Sequence, residues 1–83
     1  MEKNKKRIKI DLLDKFREME SEVENTLPRG WLRQDYLAGL SLYEKEVFDT
    51  AVSELVSSGI VEYTPGAFPK VTLTRKGEHL IHF

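Results

Sequence analysis

Apolar residues recur at helical spacing along the first part of the chain. Ile8, Leu12, Phe16, Met19 and Val23 fall three or four residues apart, Leu13 widens the stripe, and polar residues fill the rest. This pattern predicts an amphipathic helix over 8–24. It fades at Asn25-Thr26, and Pro28 disfavours a helical Leu27. Pro28-Arg29-Gly30 is a turn signal. Trp31 and Leu32 read as extended, and a short second helix is expected over 34–38, with Tyr36 and Leu37 as candidates for burial. Gly39 is placed to close it in the left-handed conformation that glycine adopts at little cost.

The third helix has the clearest start. Ser41-Leu42-Tyr43-Glu44 matches a capping box, in which the serine side chain and the glutamate side chain each satisfy the other's backbone N–H. Phe48, Ala51, Val52 and Leu55 form the apolar stripe, and Gly59 stops the helix after Ser58. Residues 60–64 are β-branched or aromatic and predict a strand. Pro65-Gly66-Ala67-Phe68-Pro69 is a stiff turn, and Val71-Thr72-Leu73 alternates as a half-buried second strand. Thr74 is a candidate cap for a short last helix through Leu80 and Ile81. The resulting class is α+β, mainly α: three helices, an antiparallel hairpin and a short C-terminal helix. The expected core is Leu12, Leu13, Phe16, Met19, Trp31, Leu37, Phe48, Val52, Leu55, Ile60, Val61, Val71, Leu73 and Leu80, with Trp31 tying the sheet to the helices.

Composition changes this picture only through charge. Eighty-three residues, 40% hydrophobic and 33% charged, suit one globular domain with one small core. No apolar run reaches the roughly 20 residues of a membrane span, and no export signal is expected at the basic N-terminus. Without cysteine there is no disulfide frame or thiol chemistry, and the cytoplasm is the expected compartment. Net charge is −1, but residues 1–9 hold Lys3, Lys5, Lys6, Arg7 and Lys9 against Glu2, a net of +4. Residues 10–83 hold 8 basic against 13 acidic residues, a net of −5. The chain thus reads as a basic arm over 1–9, free to move, ahead of a single acidic domain over 10–83.

Two segments carry a family likeness. Leu55-Val56-Ser57-Ser58-Gly59-Ile60-Val61 and Val71-Thr72-Leu73-Thr74-Arg75-Lys76-Gly77 resemble the end of the recognition helix and the strand after the wing in winged helix-turn-helix domains of bacterial and archaeal transcription regulators. The resemblance implies a three-helix core with a hairpin wing, and duplex DNA as partner. In that family the outer face of the third helix enters the major groove, which here assigns Lys45, Glu46, Asp49, Thr50 and Ser53 to the groove. Arg33 would donate to a phosphate, Lys70 stands at the base of the wing, and Lys5, Lys6 and Arg7 of the arm could reach an adjacent groove.

The residue types argue partly the other way. Arg, Lys, Asn and Gln give the strong readings of guanine and adenine, and only Lys45 is among them. Glu46 and Asp49 repel phosphates, and the hairpin tip bears Phe68 rather than a cation. The alternative is a protein-interaction module using Glu46, Asp49 and Phe68. The outer face of the first helix, with Asp14, Glu18, Glu20, Glu22 and Glu24, is a candidate docking surface for a basic partner, and a homodimer through that helix is also open. Catalysis has no support: no phosphate loop or nucleophile motif is present, and His79 and His82 lack a third ligand. The chain is expected to be a non-enzyme without cofactor, metal or small-molecule substrate.

Overall fold

The first helix begins three residues ahead of the start its apolar stripe predicts. The computed structural model describes residues 2–19, 26–28 and 30–82, His82 by its backbone alone. Within these, α1 spans Lys5–Met19. Asn4 sets the start: its side-chain oxygen accepts from the Arg7 N–H at 2.8 Å, and its carbonyl accepts from the Ile8 N–H at 3.1 Å. That is an N-cap. Residues 5–9 of the expected arm are therefore helical, and Ile8 is fully buried. The predicted continuation over 20–24, with Glu20, Glu22 and Glu24, lies outside the described residues, as does Arg29.

Trp31 and Leu32 are helical, not extended. Trp31–Tyr36 forms a π-helical turn that tightens into a 3₁₀ turn over Leu37–Gly39. Leu32, Tyr36 and Leu40 are buried at four-residue spacing, and burying that row outweighs the strand preference of Trp31. Gly39 is not the left-handed cap expected. The turn is closed by the Leu40 N–H to the Leu37 carbonyl at 3.1 Å, and the chain leaves through an extended Leu40 with φ −90° and ψ 144°.

The next helix, α2 (Leu42–Ser57), carries the capping box. The Glu44 N–H donates to Ser41 Oγ at 3.1 Å, and the Ser41 N–H donates to Glu44 Oε1 at 2.9 Å. Its other end is a Schellman turn. Gly59, at φ 76°, donates to the Val56 carbonyl at 2.9 Å, and Ile60 N–H donates to the Leu55 carbonyl at 3.0 Å. Only glycine holds that φ without strain, and the two bonds satisfy carbonyls the helix would otherwise leave open.

Strands β1 (Val61–Thr64) and β2 (Lys70–Leu73) pair antiparallel, with Val61 opposite Leu73 and Tyr63 opposite Val71. These four side chains face the helices; Glu62, Thr64, Lys70 and Thr72 face away. Thr26 bridges to Thr72 on the free edge of β2, and Leu27 N–H donates to the Val71 carbonyl at 2.9 Å. The segment before the second helix therefore borders the hairpin and buries Leu27 completely.

The last helix, α3 (Arg75–His82), starts at Thr74 as expected. The Thr74 hydroxyl accepts from the Gly77 N–H at 3.0 Å and reaches the carbonyl oxygens of Gly59 and Ile60. Gly77 is demanded by proximity: a β-carbon there would overlap the Ile60 carbonyl oxygen and sit 2.6 Å from Leu73 Cδ1.

These elements enclose one core, centred on Phe16, Phe48, Leu12, Val52 and Val71. Most of the predicted list is buried, with one reversal in α3. Leu80 is 54% exposed and Ile81 takes the inward position, because capping at Thr74 sets the phase of the helix. Leu13, Met19, Trp31, Leu37 and Ile60 are partly buried around the core, and Leu27, Leu32 and Leu40 join it. Trp31 lies partly buried against the core. It stacks on Tyr36 at 5.1 Å between centroids, beneath the Lys15 ammonium at 5.2 Å. Ring contacts from Tyr36 to Phe48 and from Phe48 to Tyr63 link the helices to the hairpin.

Candidate nucleic-acid interface

The outer face of α2 is the centre of the candidate site, and its helical period decides which side chains share it. Lys45, Glu46, Asp49, Thr50 and Ser53 are all exposed. Thr50 Oγ1 returns a hydrogen bond to the Glu46 carbonyl at 3.3 Å. Two hollows flank the face. One, of ≈ 340 Å³, lies between the second helix, α2 and the hairpin, and includes Arg33, Lys45, Asp49, Tyr63 and Pro69 in its lining. The other, of ≈ 350 Å³, is lined by Asn4, Lys5, Tyr43, Glu46, Val47 and Thr50.

The structure brings Arg33 and Lys45 to the same cleft, although twelve positions separate them in the chain. Neither makes an ion pair among the described residues. The Arg33 guanidinium instead lies over the Phe68 ring, 4.7 Å from its centroid. Phe68 does not fold back on the core; it is 60% exposed. Lys70 is exposed but sits on the outward face of the hairpin, away from Tyr63 and the cleft.

The basic N-terminal residues behave differently from a free arm. Lys5 Nζ and Lys9 Nζ each lie 2.6 Å from Glu54 of α2, while Lys3 Nζ and Arg7 Nε reach Asp11 at 2.8 and 3.0 Å. Much of the +4 charge is thus answered within the fold. Lys6 is exposed and makes no ion pair among the described residues. Hydrogen bonds from Lys5 and Lys9 hold the Glu54 carboxyl below its usual range. At Asp11, burial would raise the carboxyl, but the bonds from Lys3 and Tyr36 and the neighbouring cations outweigh it, and its pKa falls. Tyr36 is pushed well upward, by burial first and then by its bond to Asp11.

In the cleft, burial and then the charge of Asp49 raise the Tyr63 phenol, which keeps its proton as a donor. Tyr63 is the cleft residue that charge and motif reading passed over. The period-two alternation with buried Val61 was its signal. Asn4 and Tyr43 in the second hollow carried no comparable pattern.

A third hollow, of ≈ 370 Å³, lies between the end of α2 and α3, lined by Ser58, Ile60, Lys76, His79 and Leu80. Among the described residues, no cluster of three His, Cys, Asp or Glu has metal-binding geometry, and no helix is long and apolar enough to cross a membrane. Comparison with family models, with curated proteins and with solved structures finds no match to this chain.

Proposed function

We propose that this chain is a small winged-helix DNA-binding domain, a transcriptional regulator or an accessory to one, with α2 as recognition helix and the β1–β2 hairpin as wing. The observation that carries the reading is the convergence of Arg33 and Lys45 on one open cleft between α2 and the hairpin. Two cations that make no ion pair among the described residues, beside an exposed helix face, provide phosphate contacts that position a duplex. The order of elements and the Thr26–Leu27 segment edging β2 support the same reading. Lys5, beside Thr50 and Glu46 in the second hollow, extends the basic margin once Glu54 yields it.

The test is duplex binding followed by fluorescence anisotropy across a salt series. Affinity should fall steeply with salt, and Arg33→Gln and Lys45→Gln should each weaken binding to all sequences alike. No binding at low salt overturns the reading.

A second reading has its own observation. Leu42 and Tyr43, 83% and 58% exposed, stand at the start of α2 near Glu46. Exposed apolar side chains beside carboxylates suit a protein partner better than phosphate. Under that reading duplex DNA leaves the protein unbound, and Tyr43→Ala or Glu46→Lys abolishes capture of the partner.

A further inference from the structure

The hairpin tip adds to the Arg33–Lys45 cleft an exposed ring that a duplex lying along α2 does not use. Phe68 projects from a loop bounded by Pro65 and Pro69, with Pro69 buried and Phe68 largely exposed. The prolines restrict the loop, so holding the ring outward costs little ordering on binding. Arg33 covers one face of the ring. A guanidinium stacked in this way keeps its N–H groups available for a phosphate. The adjoining cleft of ≈ 340 Å³ falls within the size range of small-ligand sites and brings together two cations, one carboxylate and one phenol.

The exposed ring and the carboxylate suit an unpaired base better than a paired one. In a duplex the base faces are stacked and only the edges are available, whereas an exposed aromatic ring binds through the face. Asp49 would repel a phosphate placed in the cleft, but it is an acceptor for an amino group such as cytosine N4. Tyr63, protonated, adds a donor beside it. The cations then lie where a backbone leaving the cleft would carry its phosphates.

Resting on the reading of α2 and the hairpin as a DNA surface, we infer that the Arg33–Phe68 pair and its cleft seat one unstacked base of single-stranded DNA at a strand end or overhang. Phe68 stacks on the base, Arg33 and Lys45 hold the flanking phosphate, and Asp49 accepts from the exocyclic amino group. The seat favours cytosine over thymine, which has no such group.

The experiment compares three probes by fluorescence anisotropy at one low salt concentration: a blunt duplex, the same duplex with a short deoxycytidine tail, and one with a thymidine tail. The deoxycytidine tail should tighten binding at least about fivefold over the blunt duplex. Phe68→Ala should remove that gain while leaving blunt-duplex affinity within about twofold, and Phe68→Tyr should restore it. Asp49→Ala should make the two tails equal. Because all three substitutions are at exposed positions, thermal melts should match the parent protein.

Equal affinity for tailed and blunt probes, or a gain that survives Phe68→Ala, overturns the seat and leaves duplex binding standing. Tailed probes bound without the blunt duplex support the seat and overturn the duplex reading. Failure of every probe to bind overturns both.

Discussion

The backbone N–H of Lys3 donates to Glu44 Oε2 at 2.7 Å, joining the start of α1 to the start of α2 across 41 residues. The same carboxylate closes the α2 capping box through Oε1. One side chain therefore satisfies two backbone donors from distant parts of the chain. The bonds from Ser41 and Lys3 hold its pKa below the ordinary value. Glu2 adds to the junction by accepting from Ser41 Oγ at 2.9 Å.

Removing the cap and removing the junction should differ. Ser41→Ala should cost about 1 kcal/mol, as loss of an N-cap does. Glu44→Ala should cost more, because it frees the Lys3 N–H as well as that of Ser41. Denaturant melts of the two variants check the order; equal midpoints would show that the Lys3 bond contributes nothing.

Gly77→Ala should destabilise the domain although it lies in a helix, where alanine ordinarily gains about 1 kcal/mol over glycine. The added β-carbon would meet the Ile60 carbonyl, which β1 and the Schellman turn hold in place. Gly30→Ala is the control. Gly30 has helical φ −61° and ψ −44° and open space around its Cα, so this change should be neutral or slightly stabilising. Thermal melts of the pair give the comparison.

Phe16→Ala and Phe48→Ala should each cost ~3–5 kcal/mol, a large part of the stability of a domain this small. Trp31→Ala should cost less than either, because the ring is only partly buried and stacks on Tyr36 at the margin. A Trp31→Ala loss as large as that of Phe16→Ala would place the indole in the core.

Stability should fall toward both extremes of pH. Asp11, Glu44 and Glu54 have folded pKa values below their ordinary ones, 3.8 for aspartate and 4.5 for glutamate. Their contribution is complete above those values and is lost as pH falls through the lower folded values. Tyr36 is displaced upward, so its contribution is complete below its ordinary 10.0 and is lost as pH rises beyond it. Urea melts from pH 2 to 11 should show both declines, and Tyr36→Phe should remove part of the alkaline one.

Much of the fold is legible in the chain where local chemistry decides it. The Ser41–Glu44 box, Gly59 after α2 and the alternation of β2 all involve partners a few residues apart. What is not legible depends on tertiary burial. Trp31 has strand propensity, yet the buried row Leu32, Tyr36 and Leu40 makes its segment helical. Asn4, an unremarked polar residue ahead of the apolar stripe, turns part of the expected arm into helix.

The candidate site divides the same way. The exposed residues of α2 follow from helical period. The stack of Arg33 on Phe68 spans 35 positions, and the pairing of Lys5 and Lys9 with Glu54 spans 49 and 45. Charge patterning along the chain cannot reveal such partners. It shows a basic terminus but not that a carboxylate of α2 meets it. For the same reason deleting residues 1–9 is a poor test of DNA binding, since it would remove buried Ile8.

The most direct test of the central claim is an amide-resolved NMR titration of the intact chain with a blunt DNA duplex, first at low salt and then at physiological salt. The account predicts shifts gathered on Arg33 and on Lys45 to Ser53, weakening as salt rises. Silence at low salt, or shifts confined to the Ser58–Leu80 hollow, would contradict it.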